Sequence, residues 1–408
     1  MSEQPARRFP FDPFDPAQTQ HMWDLMAAMR AEEPVSRPID GFVYVADHAD
    51  VKATFRDAKT FSSAEGFRSP GVVVADDESF LGEIDPPLHT DVRRFVLQAF
   101  TPAAAAASED WMRSTVRRMI SGIANAGGGD LMASLCTPLP GAAAAHGLGL
   151  PDDIHHQLTT WTTELLHSTW PASNATERGV GIGGAFPEFA SIIDDAIMSR
   201  RSAGDDAPDD LLSRMISAEH DGVRLSDVHI RTLAVNSIAG SLSTTYLLGN
   251  LLYRFVTDPS GFTEVLRARP DLIPMAVEES LRFEPPVLFL FRTAKHDTAV
   301  GGCPVHQGER VLVGIASANR DEAVFEHADE FRLDRDRLPD DHLSFGAGAH
   351  LCLGNHLTRL IGRVVLEEML AAFGPAQIIL SDGYERHLVP MFLEYGPESL
   401  DVTVVPAS

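Results

Sequence analysis

The sequence predicts a mainly helical fold with small β-sheets at its edges. Strand signals are few and clustered. Nearly every other segment carries apolar residues at helical period. One segment, opening at Ser226 and ending before Pro259, reads as a single helix of about 30 residues, about 45 Å long at the usual rise. Its middle, Leu233 to Leu252, is apolar or small on every face, the pattern of a helix buried all round.

The elements follow in chain order. "GFVYVAD" (Gly41 to Asp47) is a β-branched and aromatic run and reads as a strand. "TPAAAAASEDWM" starts a helix, with Thr101 as cap and Pro102 at the first helical position. In the long helix, Gly240, Ser241, Ser243, Thr244 and Thr245 put bare backbone and hydroxyls near the centre. Such a dent serves close helix packing or a groove for something large and flat. "TAVGGCPVHQGERVLV" is a hairpin closed by glycines, and "RVLVGIAS" (Arg310 to Ser317) continues as a strand. "NHLTRLIGRVVLEEMLAAF" has strong helical period, and "LDVTVVP" closes the chain as a strand. No repeat and no long linker interrupts this order. The expectation is one domain over residues 1–408, β-richer at about 35–60 and 287–317.

Bulk properties exclude several function classes. A formal net charge of −25 sets the surface against a phosphate backbone, so nucleic acid is not an expected partner. Three cysteines, Cys136, Cys303 and Cys352, are too few and odd in number for a disulfide framework, which points to a reducing, cytoplasmic setting. The N-terminal stretch has no apolar signal region. No run of about 18 apolar residues is present, so no membrane span is expected.

The chemistry gathers at "LSFGAGAHLCLGNHLTRL". Cys352 lies among glycines at the mouth of a helix, where unpaired backbone N–H groups and the dipole favour a thiolate. A thiolate there serves as nucleophile, metal ligand or redox centre, and a buried structural cysteine is the plain alternative. The nucleophile reading needs a general base, and His350, two residues away, is a weak candidate for it. Zinc would need more Cys or His at regular spacing. A haem iron held by one axial cysteinate needs none.

"FGAGAHLCLG" resembles the haem-binding signature of cytochrome P450 at Phe345, Gly346, Gly348, His350, Cys352, Leu353 and Gly354. Other segments resemble the family along nearly the whole chain: "EESLRFEPPV", "DPPLHTDVRRFVLQAFTP" and "IASANRDEAVFEHADEFRLDR". The resemblance implies haem b as cofactor, with Cys352 on the iron and Phe345 packed on its thiolate side. His89, Arg93, Arg292 and His350 are the implied propionate partners, with His342 a further candidate, and Gly354 and Ala239 are placed against the macrocycle. Buried propionates need such partners, and arginine forks suit carboxylates. Glu279 and Arg282, at i and i+3, are implied to form a buried scaffold pair completed by Arg335 or Arg337.

One departure stands out. The family places an acid and then a threonine in the middle of its oxygen-binding helix. This chain reads "AGSLSTT", so Leu242 replaces the acid and Ser243 the first threonine. The resemblance puts Gly240, Ser243 and Thr244 where bound oxygen is handled. Ser243 keeps a hydroxyl, whereas Leu242 relays no proton. Three explanations stand: water with Ser243, helped by Ser241 or Thr244; a polar group on the substrate; or use of peroxide.

The implied activity is an O2- and reductant-dependent hydroxylation, or related oxidation, of a small apolar molecule such as a terpenoid, steroid, fatty acid, polyketide or aromatic ether. A peroxide-using or non-oxygenating haem-thiolate enzyme is the alternative, and a haem-based gas sensor or carrier the second. Ile238, Val287, Leu288, Phe289, Met391 and Phe392 are the expected pocket walls, with a lid from "WPASNATERGVGIGGAF". "GVGIGG" within it has no βαβ context and is not a dinucleotide loop. A ferredoxin and its reductase, as separate proteins, are the expected electron donors. Arg113, Arg117, Arg118, Arg359 and Arg363 are candidates for a basic docking patch against the stacked possibility of ordinary solvated arginines. A monomer is expected.

Overall fold

Two strand signals far apart in sequence become neighbours. In the computed structural model β1 is Val35–Ser36, β2 Phe42–Val45, β3 Phe61–Ser62, β4 Leu290–Ala294 and β5 Arg310–Val313. They form one sheet in the order β1-β2-β5-β4-β3. β5 runs parallel to β2, with Val311 opposite Val43 and Val313 opposite Val45. The remaining pairs are antiparallel. Val43, Tyr44, Val45, Val311, Leu312 and Val313 are all 0% exposed, so this centre is covered on both faces. The structure describes residues 11–405 except 13–14, 19–20, 65, 67–73, 98–99, 156, 159, 162–163, 165–180, 221, 259–260, 337, 375–376 and 390–392.

The expected hairpin is present, Thr298–Val300 against Cys303–Val305. Its two turn residues, Gly301 and Gly302, both have positive φ, the backbone that this tight turn demands. The strand expected over Arg310 to Ser317 is shorter. It ends at Val313, and Ile315–Ala318 is a helical turn. The C-terminal strand forms as Asp401–Val404, between Ile378–Leu380 and Gly128–Asp130.

Six helices position the site: α1 (Leu88–Leu97), α2 (Glu109–Ala126), α3 (Asp227–Ala239), α4 (Leu242–Thr257), α5 (Ile273–Phe283) and α6 (Asn355–Ala372). The Thr101 signal works as expected. The Ala104 N–H donates to Thr101 Oγ1 at 3.1 Å, and Pro102 opens a short helix that ends at Ala107. α2 buries Met112, Val116, Ile120 and Ile123, one stripe at helical spacing, and packs along α6.

The single long helix expected from Ser226 is instead two. The cap is right: the His229 N–H donates to Ser226 Oγ at 3.1 Å. The break comes at Gly240 and Ser241. The Ser241 hydroxyl donates to the Ile238 carbonyl at 2.5 Å, and its N–H goes to the same carbonyl at 3.0 Å. Three-residue bonding replaces four-residue bonding there, a tighter turn that ends α3 and starts α4.

The described residues group into two compact units. One comprises residues up to Gly66, Pro274–Cys352 and Arg386–Glu398. Its apolar core includes Val43, Val45, Phe55, Val311 and Leu343, and it carries the large sheet, nearly all of α5 and the cysteine loop. The other comprises Phe67–Ile273, Leu353–Glu385 and the chain from Ser399. Its core gathers on α3, with Leu233, Val235 and Ile238 packed among Phe189, Ile193 and Ile197.

Candidate functional site

The cysteine loop is shaped by two glycines that no other residue replaces without strain. Gly346 and Gly348 have φ of 70° and 73°. A Cβ on Gly348 would stand 2.8 Å from the Phe55 carbonyl oxygen and 2.9 Å from Arg56 Cα. Held this tightly, the loop turns back on itself, and the Cys352 N–H donates to the Phe345 carbonyl at 2.9 Å. Cys352 is exposed, unlike Cys136, which is buried. It lies just before α6, whose N-cap is Gly354. Phe345 lies beside His342, with ring centroids 5.7 Å apart. Among the described residues no group of three His, Cys, Asp or Glu side chains is arranged to hold a metal ion.

α5 braces this loop from behind. Glu279 and Arg282 are both 0% exposed and face each other across one helical turn. Arg282 Nε and Nη2 donate to the two Glu279 oxygens at 2.7 Å each, and Arg335 Nε donates to Oε1 at 2.9 Å. The remaining Arg282 and Arg335 donors go to the carbonyls of Asn319, Glu326, His327, Ala328 and Glu330. Arg335 thus completes the network, and Arg337 lies outside the described residues. A second tie reaches the loop itself. The Ser344 hydroxyl donates to the Leu281 carbonyl at 2.6 Å, and Asn319 Oδ1 accepts the Leu343 N–H at 2.7 Å.

His342, a further propionate candidate, is committed elsewhere. Its Nε2 lies 2.8 Å from Glu278 Oε2, and its Nδ1 accepts the Ser344 N–H at 3.3 Å. Of the four principal candidates, Arg292 and His350 belong to the sheet unit, and His89 and Arg93 to the helical one. Arg292 is buried over the Phe55 ring and donates to the Phe291 carbonyl at 2.7 Å. His89 is buried, and Arg93 follows one turn later on the same face of α1.

At the α3–α4 junction the helical unit has a dent. Ile238, Ala239 and Leu242 are buried, yet Gly240 between them is exposed. A Cβ added there would meet only the Asn236 carbonyl oxygen of its own helix, at 3.2 Å. Apart from its chain neighbours, no other atom of the described residues is found within 4 Å of that added carbon. Ser243, one turn on, donates to the Gly240 carbonyl at 3.2 Å. Thr244, expected to handle oxygen, has a partner on another helix. It is 3% exposed, and its hydroxyl is 3.1 Å from that of Thr358, which joins α4 to α6.

The expected pocket walls divide. Val287 keeps partial exposure, whereas Ile238, Leu288 and Phe289 are sealed in their cores. The Phe289 ring packs edge-on against Phe291, centroids 5.7 Å apart. Met391 and Phe392 lie outside the described residues, as does most of the expected lid, of which Gly181–Ala185 is helical.

Three of the five arginines of the candidate docking patch pair with glutamates, while Arg118 is exposed and Arg359 donates to Asn355. Arg113 pairs with Glu109, Glu367 and Glu368 at 2.6–2.8 Å, Arg117 with Glu368, and Arg363 with Glu109 and Glu367. Hydrogen bonds from Arg363, then Arg113, hold the Glu109 carboxyl below its usual range. Burial pushes Glu368 up, but Arg117 and Arg113 outweigh it, and the net shift is downward. Sequence reasoning also passed over Glu394, a buried carboxyl opposite Val287. Nothing in "MFLEYG" distinguishes it from a surface glutamate.

A family model described as Cytochrome P450 matches residues 181–376. Among curated proteins, the chain is 33% identical to the erythromycin C-12 hydroxylase of Saccharopolyspora erythraea over 372 residues, 91% of each chain. It is 31% identical to the steroid C26-monooxygenase of Mycolicibacterium smegmatis, covering 93% of this chain and 92% of that one. Among solved structures, a mutant of P450 EryK in complex with erythromycin B superposes with a TM-score of 0.84 at 32% identity, covering 96% of this chain and 98% of that one. CYP109E1 from Bacillus megaterium in complex with testosterone does so with a TM-score of 0.80 at 27% identity, covering 97% and 100%. No helix among the described residues is long and apolar enough to cross a membrane.

Proposed function

The chain belongs to the cytochrome P450 family, and from that premise we propose that it hydroxylates an apolar molecule of macrolide, steroid or polyketide size. It is a haem-dependent monooxygenase of the mainly helical P450 fold. The size class comes from relatives whose names specify erythromycin and a steroid.

The residues fit the prosthetic group. An exposed cysteine ends a rigid loop, and Gly240 leaves open a surface that a side chain would fill. Bound haem supplies the iron at which O2 is activated. Cys352 is the residue to hold that iron, with Phe345 against the sulfur. His89, Arg93, Arg292 and His350 are the cationic or donor groups to meet its two carboxylates. Ala239, Gly240 and Gly354 keep bulk away from its plane. Ser243 is the hydroxyl to hold a proton near the oxygen, once it turns from the Gly240 carbonyl. Leu242 is buried, so the proton comes through water, with Ser243 or a polar substrate group as its last holder. Val287, Met391 and Phe392 are the proposed substrate contacts. Glu279, Arg282 and Arg335 do no chemistry and hold the loop.

We place the enzyme in the cytoplasm as a monomeric catalytic unit, fed by a separate ferredoxin and reductase. The observation that carries the reading is Cys352, exposed at the end of its glycine loop and the mouth of α6. The test is the reduced carbon monoxide complex. It absorbs at the long wavelength of thiolate-bound haem, and Cys352→His moves the band to the imidazole type. An imidazole-type spectrum in the unmodified enzyme would overturn the assignment. A screen for compounds that shift the iron to high spin, followed by product analysis, then finds the substrate.

A further inference from the structure

Glu394 is 8% exposed, and its Oε2 is buried without a hydrogen-bond partner among the described residues. An uncompensated buried carboxyl is costly, and a structural role requires a partner, which the described residues do not supply. The local backbone fixes where it faces. Val287 and Glu394 form an antiparallel bridge, flanked by Leu288 N–H to the Leu393 carbonyl at 2.7 Å and Tyr395 N–H to the Pro286 carbonyl at 3.2 Å. Directly opposed residues of such a pair project to the same face. Glu394 therefore stands beside Val287, which alone among the described expected wall residues keeps exposure.

The charges nearby are on the other face. Tyr395, one residue on, projects oppositely. Its ring meets Trp23 at 5.4 Å and lies under Arg386 at 5.9 Å, and Arg386 pairs with Glu284 at 3.1 Å. Arg320 stacks over the Trp23 ring at 3.7 Å. The arginines of this corner are gathered there. Burial alone pushes the Glu394 carboxyl up to about 7, with no charged neighbour contributing.

We infer that Glu394 is a specificity residue that anchors a protonated amine on the substrate, so that the enzyme takes large apolar molecules bearing a basic nitrogen. The inference rests on the reading of Val287 as a wall of the substrate pocket. An apolar wall with one unpaired carboxyl selects a cation over a neutral isostere, because only the cation gives the buried oxygen a partner.

The test uses holoenzyme and two probes of equal shape, dimethyl(phenylbutyl)amine and (methylhexyl)benzene, with binding read by equilibrium dialysis at neutral pH. The amine binds roughly tenfold tighter or more, as a charge-assisted hydrogen bond implies. Glu394→Gln removes that preference by weakening the amine alone, and Glu394→Asp restores part of it. Equal binding of the two probes, binding of neither, or a preference that survives Glu394→Gln overturns the inference. Val287→Phe reads the pocket assignment separately. If it leaves the binding of (methylhexyl)benzene unchanged, the pocket lies elsewhere and the inference falls with it. The carbon monoxide spectrum in every variant keeps the thiolate assignment apart from both.

Discussion

Arg282→Ala removes a guanidinium that is 0% exposed and donates to both oxygens of Glu279 and to three backbone carbonyls. What remains is a buried carboxylate held only by Arg335 and the Arg332 N–H, beside acceptors that lose their donor. Breaking a buried pair from one side costs about 3–5 kcal/mol. Unfolding entropy scales with chain length, so at this size a loss near 4 kcal/mol lowers the melting midpoint by about 5 °C. The comparison is Arg332→Ala, which breaks only an exposed pair with Asp334 and leaves the midpoint in place. Both variants are melted as haem-loaded protein and followed by circular dichroism, with the carbon monoxide spectrum recorded at each temperature. Because the network backs the cysteine loop, Arg282→Ala loses the thiolate-type band before it loses helicity. A midpoint shift no larger than that of Arg332→Ala would refute the reasoning.

Gly240→Ala changes stability by no more than about 1 kcal/mol in either direction, since φ there is −62° but the added methyl meets the Asn236 carbonyl oxygen at 3.2 Å. It weakens the high-spin shift on substrate binding, and an unchanged titration would remove Gly240 from the site. Gly348→Ala clashes with the Phe55 carbonyl at positive φ, so it lowers haem retention in gel filtration. Ser243→Ala alters the ratio of reductant consumed to product formed without moving the melting midpoint, which product and reductant assays check together. Leu242→Asp instead buries an unpartnered carboxylate and destabilises the helical unit, which a parallel melt detects. Raised by burial, Glu394 binds its proton more tightly folded than unfolded. Its penalty is absent below its ordinary 4.5 and grows as pH rises towards about 7. Glu394→Gln therefore stabilises the protein at pH 8 and not at pH 4, by denaturant titration at both, and equal effects would contradict the burial.

The cysteine loop and the Glu279–Arg282–Arg335 network were legible because each is written in short, rigid spacings. Positive-φ glycines and an i, i+3 ion pair are local facts. The helix break was not legible, since neither Gly240 nor Ser241 forces one. It depends on a hydroxyl choosing the carbonyl three residues back, which competes evenly with solvent. The Thr244–Thr358 contact was not legible either, because the two residues are 114 positions apart. The pairing within the arginine patch was hidden for a similar reason. Glu109–Arg113 and Arg363–Glu367 are visible at i, i+4, but the cross-pairing of α2 with α6 arises only on packing. Burial of Glu394 follows from a bridge to a segment more than a hundred residues earlier, which no local pattern announces.

The clamp between α2 and α6 has a kinetic consequence. With Arg113, Arg117 and Arg363 tied to glutamates, the α2–α6 face does little to offset the chain's formal net charge of −25. An anionic electron donor then meets repulsion at long range, strongest in dilute buffer. Screening shortens that repulsion to about 8 Å at physiological ionic strength. First-electron transfer from such a donor should accelerate as salt is added, the reverse of the usual dependence for steered redox partners.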